Sequence, residues 1–456
     1  MIKDLWSMNK KEITQIQMIC THFNIHFNTS SRYKHIYEAL RSVIGNGYYN
    51  EVWAIITNSA RALKYRASGL SVPRDFAPYK GNKQGISHKR MIFVLDQMER
   101  LEYIDIYKGG ITDWHTMSGV SSSVLFTQKY LSLWEGVDVS AEKDTFLVVE
   151  IKDRITKEIK STRRHEGAER IGEYMHAYNN ILSNTVLEDS NGLLSVQTYK
   201  RGFLDNLHTG GRHYNTVGGV QVMSQKERSE LKIDAEPVVE LDIKACHISL
   251  LWEKLWQTEP EIVNSWISEQ WGGKYNPYAV SMPFLIINQV KIEEYKKAYN
   301  QPNYDPVRNL AKHAIMVSLN AQTYTKAYRQ VTAEYLDDFK KRENNLEECK
   351  FYGIEPEYSD DGKATFHGNL VCQAVKQHNG PVADSFFKDQ GVYLQYLDSE
   401  IIADVINKLI MQGECLLPEH DSVIVKASLE YEVLIYMHEA YKKAIGSTKF
   451  CIIEKK

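Results

Sequence analysis

Two periods of apolar positions run through this chain, and each predicts a different element. Residues 10–66 place apolar side chains at helical spacing, as in KEITQIQMICTHF and HIYEALRSVI, and are predicted helical. Residues 68–87, SGLSVPRDFAPYKGNKQGIS, are rich in Gly, Pro and Ser and read as a loop. Ser87 is placed to cap a helix whose inner face is Met91, Val94, Leu95, Met98 and Leu101. Tyr103 to Tyr107 then alternates as a strand does, and Gly109-Gly110 turns it. Further on, TFLVVEI (145–151) has strand character, and the charged stretch 152–182 is predicted helical.

Later segments are sharper. Val238 to Ile243, VVELDI, is an apolar, β-branched run with Asp242 near its end, as in a buried strand. Between Cys415 and Ala427, two apolar runs flank the polar break Glu419-His420-Asp421-Ser422, which predicts a hairpin with an acid at its turn. A helix follows over 428–445. Asp305-Pro306 opens another helix, predicted over 307–331, with Arg308, Lys312, Met316 and Asn320 four apart along one face. There is no internal repeat and no low-complexity tract.

Composition bounds the reading. The 456 residues suffice for roughly two to four domains, and 43% hydrophobic with 25% charged residues is ordinary for a globular protein. No uninterrupted apolar run is long enough to span a bilayer, and the opening MIKDLWSMNKKE is too polar for a secretory signal. Six scattered cysteines without a CxxC argue against a zinc ribbon or disulfide scaffold, and a reducing cytoplasmic setting is expected. The net charge of −3 hides an asymmetry: residues 1–100 carry 15 Lys and Arg against 7 Asp and Glu. A basic leader on an acidic body fits an anionic partner at the front.

The chemistry gathers in the last 260 or so residues. Asp242 and Asp421 are far apart in sequence, so only the fold can bring them together. If they meet, two hard carboxylates can hold two Mg²⁺ (or Mn²⁺) ions and support a phosphoryl displacement. Taken alone, each is more often a turn cap. Arg308 and Lys312 on one helix face could neutralise a triphosphate and its departing pyrophosphate; taken alone, such a pair is usually a solvated face.

In their order and spacing these segments resemble the single-subunit phage-type RNA polymerases and their relatives, the A-family DNA polymerases. Asp242 matches the first palm aspartate of that superfamily, Arg308 and Lys312 its fingers-helix R-x3-K, and Asn320 its sugar-sensing position. His420-Asp421 matches the final hairpin. Thr209-Gly210-Gly211-Arg212 resembles the upstream GR motif, whose arginine touches phosphate. The segment 391–406, with Asp398 and Ser399, resembles the one before the last hairpin. The likeness covers about residues 195–445. The pattern departs from the family at Asn320-Ala321, where Tyr or Phe precedes Gly, and at His247, where a small residue or Glu is usual.

The resemblance implies an α+β, right-hand polymerase fold, with palm (201–255 and 365–456) and fingers (256–364); ahead of it are expected a basic N-terminal region (1–135), for which no resemblance is claimed, and a thumb-like helical segment (136–200). It implies templated nucleotidyl transfer, with Asp242 and Asp421 as metal ligands and Lys312 assisting pyrophosphate departure. Arg308 and Met316 would line the nucleotide site, and Asn320 and His247 would sense the sugar. His247 can equally be a palm-core histidine bonded to an acid or to backbone. Arg212 and His420 would contact nucleic acid. A bulky His247 leans the sugar choice slightly to deoxynucleotides. The helix from Ser87 and the hairpin after it resemble a winged-helix module, with Lys89 and Arg90 at the helix start; a plain helix-strand packing unit is the alternative. Tyr358-Ser359-Asp360-Asp361 resembles the box of reverse transcriptases, but flanking Pro356 and Gly362 make it an exposed turn. No proofreading domain is expected. The competing reading is a non-catalytic nucleic-acid-binding protein on a degenerate palm, and a primase is a third.

Overall fold

The computed structural model describes residues 29–74, 79–80, 82, 84–113, 118–140, 147–190, 192–217 and 219–456, together with 3–4, 16, 20–23 and 27. It is a mixed α+β protein. Strand β1 (Cys20–His22) precedes helices α1 (Lys34–Ile44) and α2 (Tyr49–Lys64), then β2 (Gly69–Val72), α3 (His88–Arg100), β3 (Ile104–Lys108) and β4 (Ser122–Phe126). The sheet order is Lys3–Asp4, β3, β4, β2, β1, with β4 antiparallel to both neighbours. Met91, Val94, Leu95 and Met98 of α3 are buried, the face expected from their spacing. Residues between Tyr33 and Trp134 pack around a core of their own.

Two expectations fail here. Cys20–His22 is a strand, parallel to β2, where helix was predicted; most of 10–19 lies outside the described residues. The segment read as loop contains β2. It is covered on both faces, so no alternation betrays it, and a Cβ at Gly69 would strike the Val124 carbonyl.

The middle of the chain holds β5 (Val149–Lys152), β6 (Ile159–Lys160), α4 (Ala168–Asn184), β7 (Thr198–Leu204) and β8 (Asn206–Val217), which form a sheet ordered β8, β7, β5, β6. The predicted helix over 152–182 is therefore α-helical only from Ala168, after a single 3-10 turn at Thr162–Arg164. Asp153 prevents an earlier start: its carboxylate accepts from the backbone N–H groups of Ile155 and Thr156, both at 2.9 Å, and sets a turn. Lys157 follows in the left-handed region, and the chain returns as β6. The thumb-like stretch is thus one helix among strands.

The remainder runs β9 (Lys232–Ile233), β10 (Glu236–Ile243), α5 (Cys246–Thr258), α6 (Pro260–Gln270), α7 (Gln289–Ala298), α8 (Pro306–Asn320), α9 (Tyr324–Lys341), α10 (Gly368–His378), α11 (Gly391–Ile410), β11 (Leu417–Glu419), β12 (Ser422–Lys426), α12 (Glu430–Ile445) and β13 (Ile453–Lys455). Strand β10 is central: it pairs antiparallel with β12 along one edge and with β9 and β13 at the two ends of the other. One continuous core joins this sheet to the helices around it. The helix predicted over 307–331 breaks into α8 and α9. Ala321 is extended, and the Thr323 hydroxyl caps α9 by accepting from Lys326 N–H.

Candidate active site

Asp242 sits at the end of β10, and Asp421 on the turn between β11 and β12. Register brings them together: Asp242 lies opposite Ser422, and Ile243 N–H donates to the Asp421 carbonyl at 3.2 Å. His420, at the tip, is held at φ 60°, the left-handed region a two-residue hairpin turn favours. Burial raises the proton affinity of the Asp421 carboxyl, and the charges of Asp242 and Asp398 raise it further. The Asp421 carboxyl thus sits beside two further acids, Asp242 and Asp398.

Behind the pair lies a buried ionic cluster. Arg212, on β8, reaches Asp398 on α11 through Nη2 at 2.6 Å and Nε at 3.3 Å. His247, the second residue of α5, donates from Nε2 to Asp398 Oδ2 at 2.7 Å. Burial alone would raise the Asp398 carboxyl; the His247 hydrogen bond and the Arg212 charge outweigh it and hold the group ionised. The His247 ring is buried, and its Nδ1 has no hydrogen-bond partner. Of the two expectations for His247, the histidine bonded to an acid describes its observed state. Burial, then the Arg212 charge, lowers the proton affinity of His420.

Close approach of β8 to α11 depends on glycine. At Gly211, φ is +85°, and a Cβ would meet Ser399 Oγ at 2.7 Å, Phe203 at 2.8 Å and Arg201 Nη2 at 2.9 Å. Arg201 bonds the Gly211 carbonyl at 2.8 Å, Ser399 Oγ at 3.0 Å and Glu400 at 2.7 Å.

On the other side stands α8. Asp305 caps it, accepting from Val307 and Arg308 N–H at 3.0 Å each. The Arg308 guanidinium lies 5.4 Å from the ring centroid of Tyr278. Burial raises the Tyr278 phenol, and Asp421 and Asp242 raise it further, so this ring is near the acid pair as well as Arg308. Lys312, one turn along, is exposed, and neither it nor Arg308 has a carboxylate partner among the described residues. Met316 is half-buried. Asn320, at the end of α8, bonds back to the Met316 carbonyl at 2.8 Å and its side chain rests where a Cβ on Gly391 would be. Lys89 is exposed on α3. Arg90 is engaged within the fold, bonded to the Gly47 carbonyl and paired with Glu51 at 3.2 Å.

Several site residues were not singled out from sequence. Glu240 is held by Arg228 at 3.0 and 3.1 Å and by Ser422 Oγ at 3.0 Å. Glu419 has an oxygen buried without a hydrogen-bond partner, and its carboxyl is pushed up to about 7 by burial, with Glu240 and Asp421 adding to the rise. Lys456 Nζ lies 2.8 Å from Asp242 and 3.8 Å from Glu240. The signal available for the two glutamates was repetition: each stands two places before an aspartate, in Glu240-Leu241-Asp242 and Glu419-His420-Asp421. Tyr278 and Lys456 carry no such mark.

Tyr358 to Asp361 forms a short strand and turn in which Asp361 bonds Ser359 and Lys363 at 2.5 and 2.6 Å, an exposed turn as read. Among the described residues, no group of three or more His, Cys, Asp or Glu side chains forms a ready-made metal cage, and no helix is long and apolar enough to cross a membrane.

No protein-family model matches the chain, and no curated protein matches it. Among solved structures it is similar to the POL domain of Pol1 from M. smegmatis in complex with DNA primer-template and dNTP, at 10% identity and a TM-score of 0.29, covering 98% of this chain and 68% of that one. Likeness at that distance leaves the site geometry as the ground for a functional reading.

Proposed function

We propose that this protein is a template-directed nucleotidyltransferase, a nucleic-acid polymerase built on a right-hand plan, with a slight lean to deoxynucleotides. The observation that carries it is the convergence of Asp242, at the end of β10, with Asp421, on the turn before its partner strand β12, near Tyr278 and Arg308 and beside the Arg212–Asp398–His247 cluster. The palm corresponds to β8–β10 with α11–β12, and the fingers to α6–α9.

Two carboxylates suit Mg²⁺ or Mn²⁺, which keep water and take phosphate oxygens for their remaining positions. The raised Asp421 carboxyl, buried beside Asp242 and Asp398, fits a cation among these acids. When bound, the ions supply charge neutralisation for the attacking 3′ oxygen and the leaving pyrophosphate oxygen. Arg308, over the Tyr278 ring and without an acid partner among the described residues, binds the triphosphate. Lys312 neutralises or protonates the departing pyrophosphate. Arg212, already committed to Asp398, fixes the floor of the site and presents its remaining charge to the nucleic-acid backbone beside His420. His247 positions Asp398 and limits the space beneath the sugar, with Asn320 at the far end of α8. Lys89 and the N-terminal module, read as a winged helix, contact template.

A second reading is favoured by one contact. Lys456 places an ammonium on Asp242, as a degenerate, non-catalytic nucleic-acid-binding palm could tolerate. A primed-template extension assay with Mg²⁺ and separate dNTP and rNTP pools decides between them. Wild type should extend the primer, and Asp242→Asn and Asp421→Asn should fall to background. Lys312→Ala should lose about 10²–10³-fold in rate. Binding without extension in every pool, or normal extension by Asp421→Asn, overturns the polymerase reading. Short products from unprimed strands would identify a primase.

A further inference from the structure

The outward side of the N-terminal unit carries a feature the polymerase reading does not use. The rings of Tyr48 and Phe93 are stacked, with centroids 4.8 Å apart and planes within 18°. Tyr48 ends the short turn before α2, and Phe93 lies on α3 opposite the buried face of Met91, Val94, Leu95 and Met98. Phe93 is 40% exposed, and beside Tyr48 the neighbouring Tyr49 is 47% exposed. The second face of the Phe93 ring has no aromatic partner among the described residues. The Arg90 guanidinium lies 5.5 Å from the Tyr48 ring centroid, held there by Glu51 and the Gly47 carbonyl. The pair is therefore fixed before any partner arrives.

Charge selects among partners. In this unit Glu51 is matched by Arg90, Asp96 by Arg74 at 2.9 Å, and Glu38 by Arg41 at 3.3 Å. Lys89 is left over, exposed and without an acid partner among the described residues, in a stretch with an excess of Lys and Arg. A rigid aromatic step with surplus positive charge is suited to a polyanion that has flat faces to offer. Single-stranded nucleic acid has both, whereas a duplex hides its base faces inside the helix.

We infer that Tyr48 and Phe93 form a stacking platform for an unpaired base of single-stranded nucleic acid, with Arg90 bracing the platform and Lys89 meeting the adjoining phosphate. This deepens the reading of the N-terminal unit as a template contact and does not depend on the chemistry at Asp242 and Asp421.

The test uses the full chain, without nucleotide or divalent ions. Fluorescence anisotropy follows binding of a labelled oligo(dT) and, separately, of a duplex of the same length. Phe93→Ala should weaken oligo(dT) binding by roughly tenfold and leave the duplex unchanged, because a base stacked on an aromatic ring is lost. Phe93→Trp, which keeps a π-face, should stay within about twofold of wild type. Lys89→Glu should flatten the salt dependence of oligo(dT) binding. Equal binding by Phe93→Ala and wild type overturns the platform, as does an equal loss on duplex and single strand. If Phe93→Ala fails to fold, a tenfold loss in a well-folded Phe93→Trp also overturns it. Absence of any nucleic-acid binding by wild type overturns it too and would leave the face to a protein partner. Failure of primer extension bears on Asp242 and Asp421 and not on this titration.

Discussion

Glu419 shows how one side chain reports on the whole acid cluster. Its carboxyl is pushed up to about 7 from an ordinary value near 4.5, first by burial and then by Glu240 and Asp421. The folded protein therefore binds a proton here more tightly than the unfolded chain does. Stability falls as pH rises from about 4.5 to about 7 and then levels off. Burial and its neighbours raise the Asp421 carboxyl as well, so it acts in the same direction. Glu419→Gln removes the ionisation, and should be more stable than wild type at pH 8 by on the order of 2 kcal/mol, with the gap closing toward pH 4. Urea melts across that range would show it; a gap that widens on acidification would sink this account of the cluster.

At the level of elements, the site is an approach problem. Strand β8 must come close enough to α11 for Arg212 to meet Asp398, and Gly211 makes that possible. Gly211→Ala combines a left-handed φ with three contacts under 3.0 Å, so a cost of about 2–3 kcal/mol is expected. Melting by circular dichroism measures it, and unchanged stability would mean that β8 has slack. The elements themselves were unevenly legible. VVELDI and the Glu419–Ser422 break declared a strand and a hairpin because one is apolar throughout and the other interrupts two apolar runs. Strand β6 is short and charged, and Asp153 takes backbone donors that the predicted helix needed, so composition pointed the wrong way. The break between α8 and α9 was hidden because Gln322 and Thr323 do not interrupt the apolar spacing that continues across it.

For the whole molecule, the informative contacts are the long ones. Asp242 on β10 meets Asp421 on the turn before β12, Asp398 joins α11 to β8 and α5, and no period in the sequence encodes such meetings. Their order along the chain suggested which residues to watch. The fold was needed to add Tyr278, which lies in a loop without regular spacing, and Lys456, which follows directly on β13. That position has a consequence for ion uptake. Pairing of β13 with β10 puts Glu454 opposite Asp242 and fixes the Lys456 ammonium beside the same carboxylate. A tethered competitor of this kind acts at an effective concentration in the millimolar range or above, so a dissolved ion must outcompete it to enter. Lys456→Met should take up Mn²⁺ at roughly tenfold lower concentration than wild type, read by electron paramagnetic resonance of the free ion. Equal uptake by both proteins would mean that the ammonium swings away at no cost, and that the threshold for loading this site is set by the ion's own hydration shell.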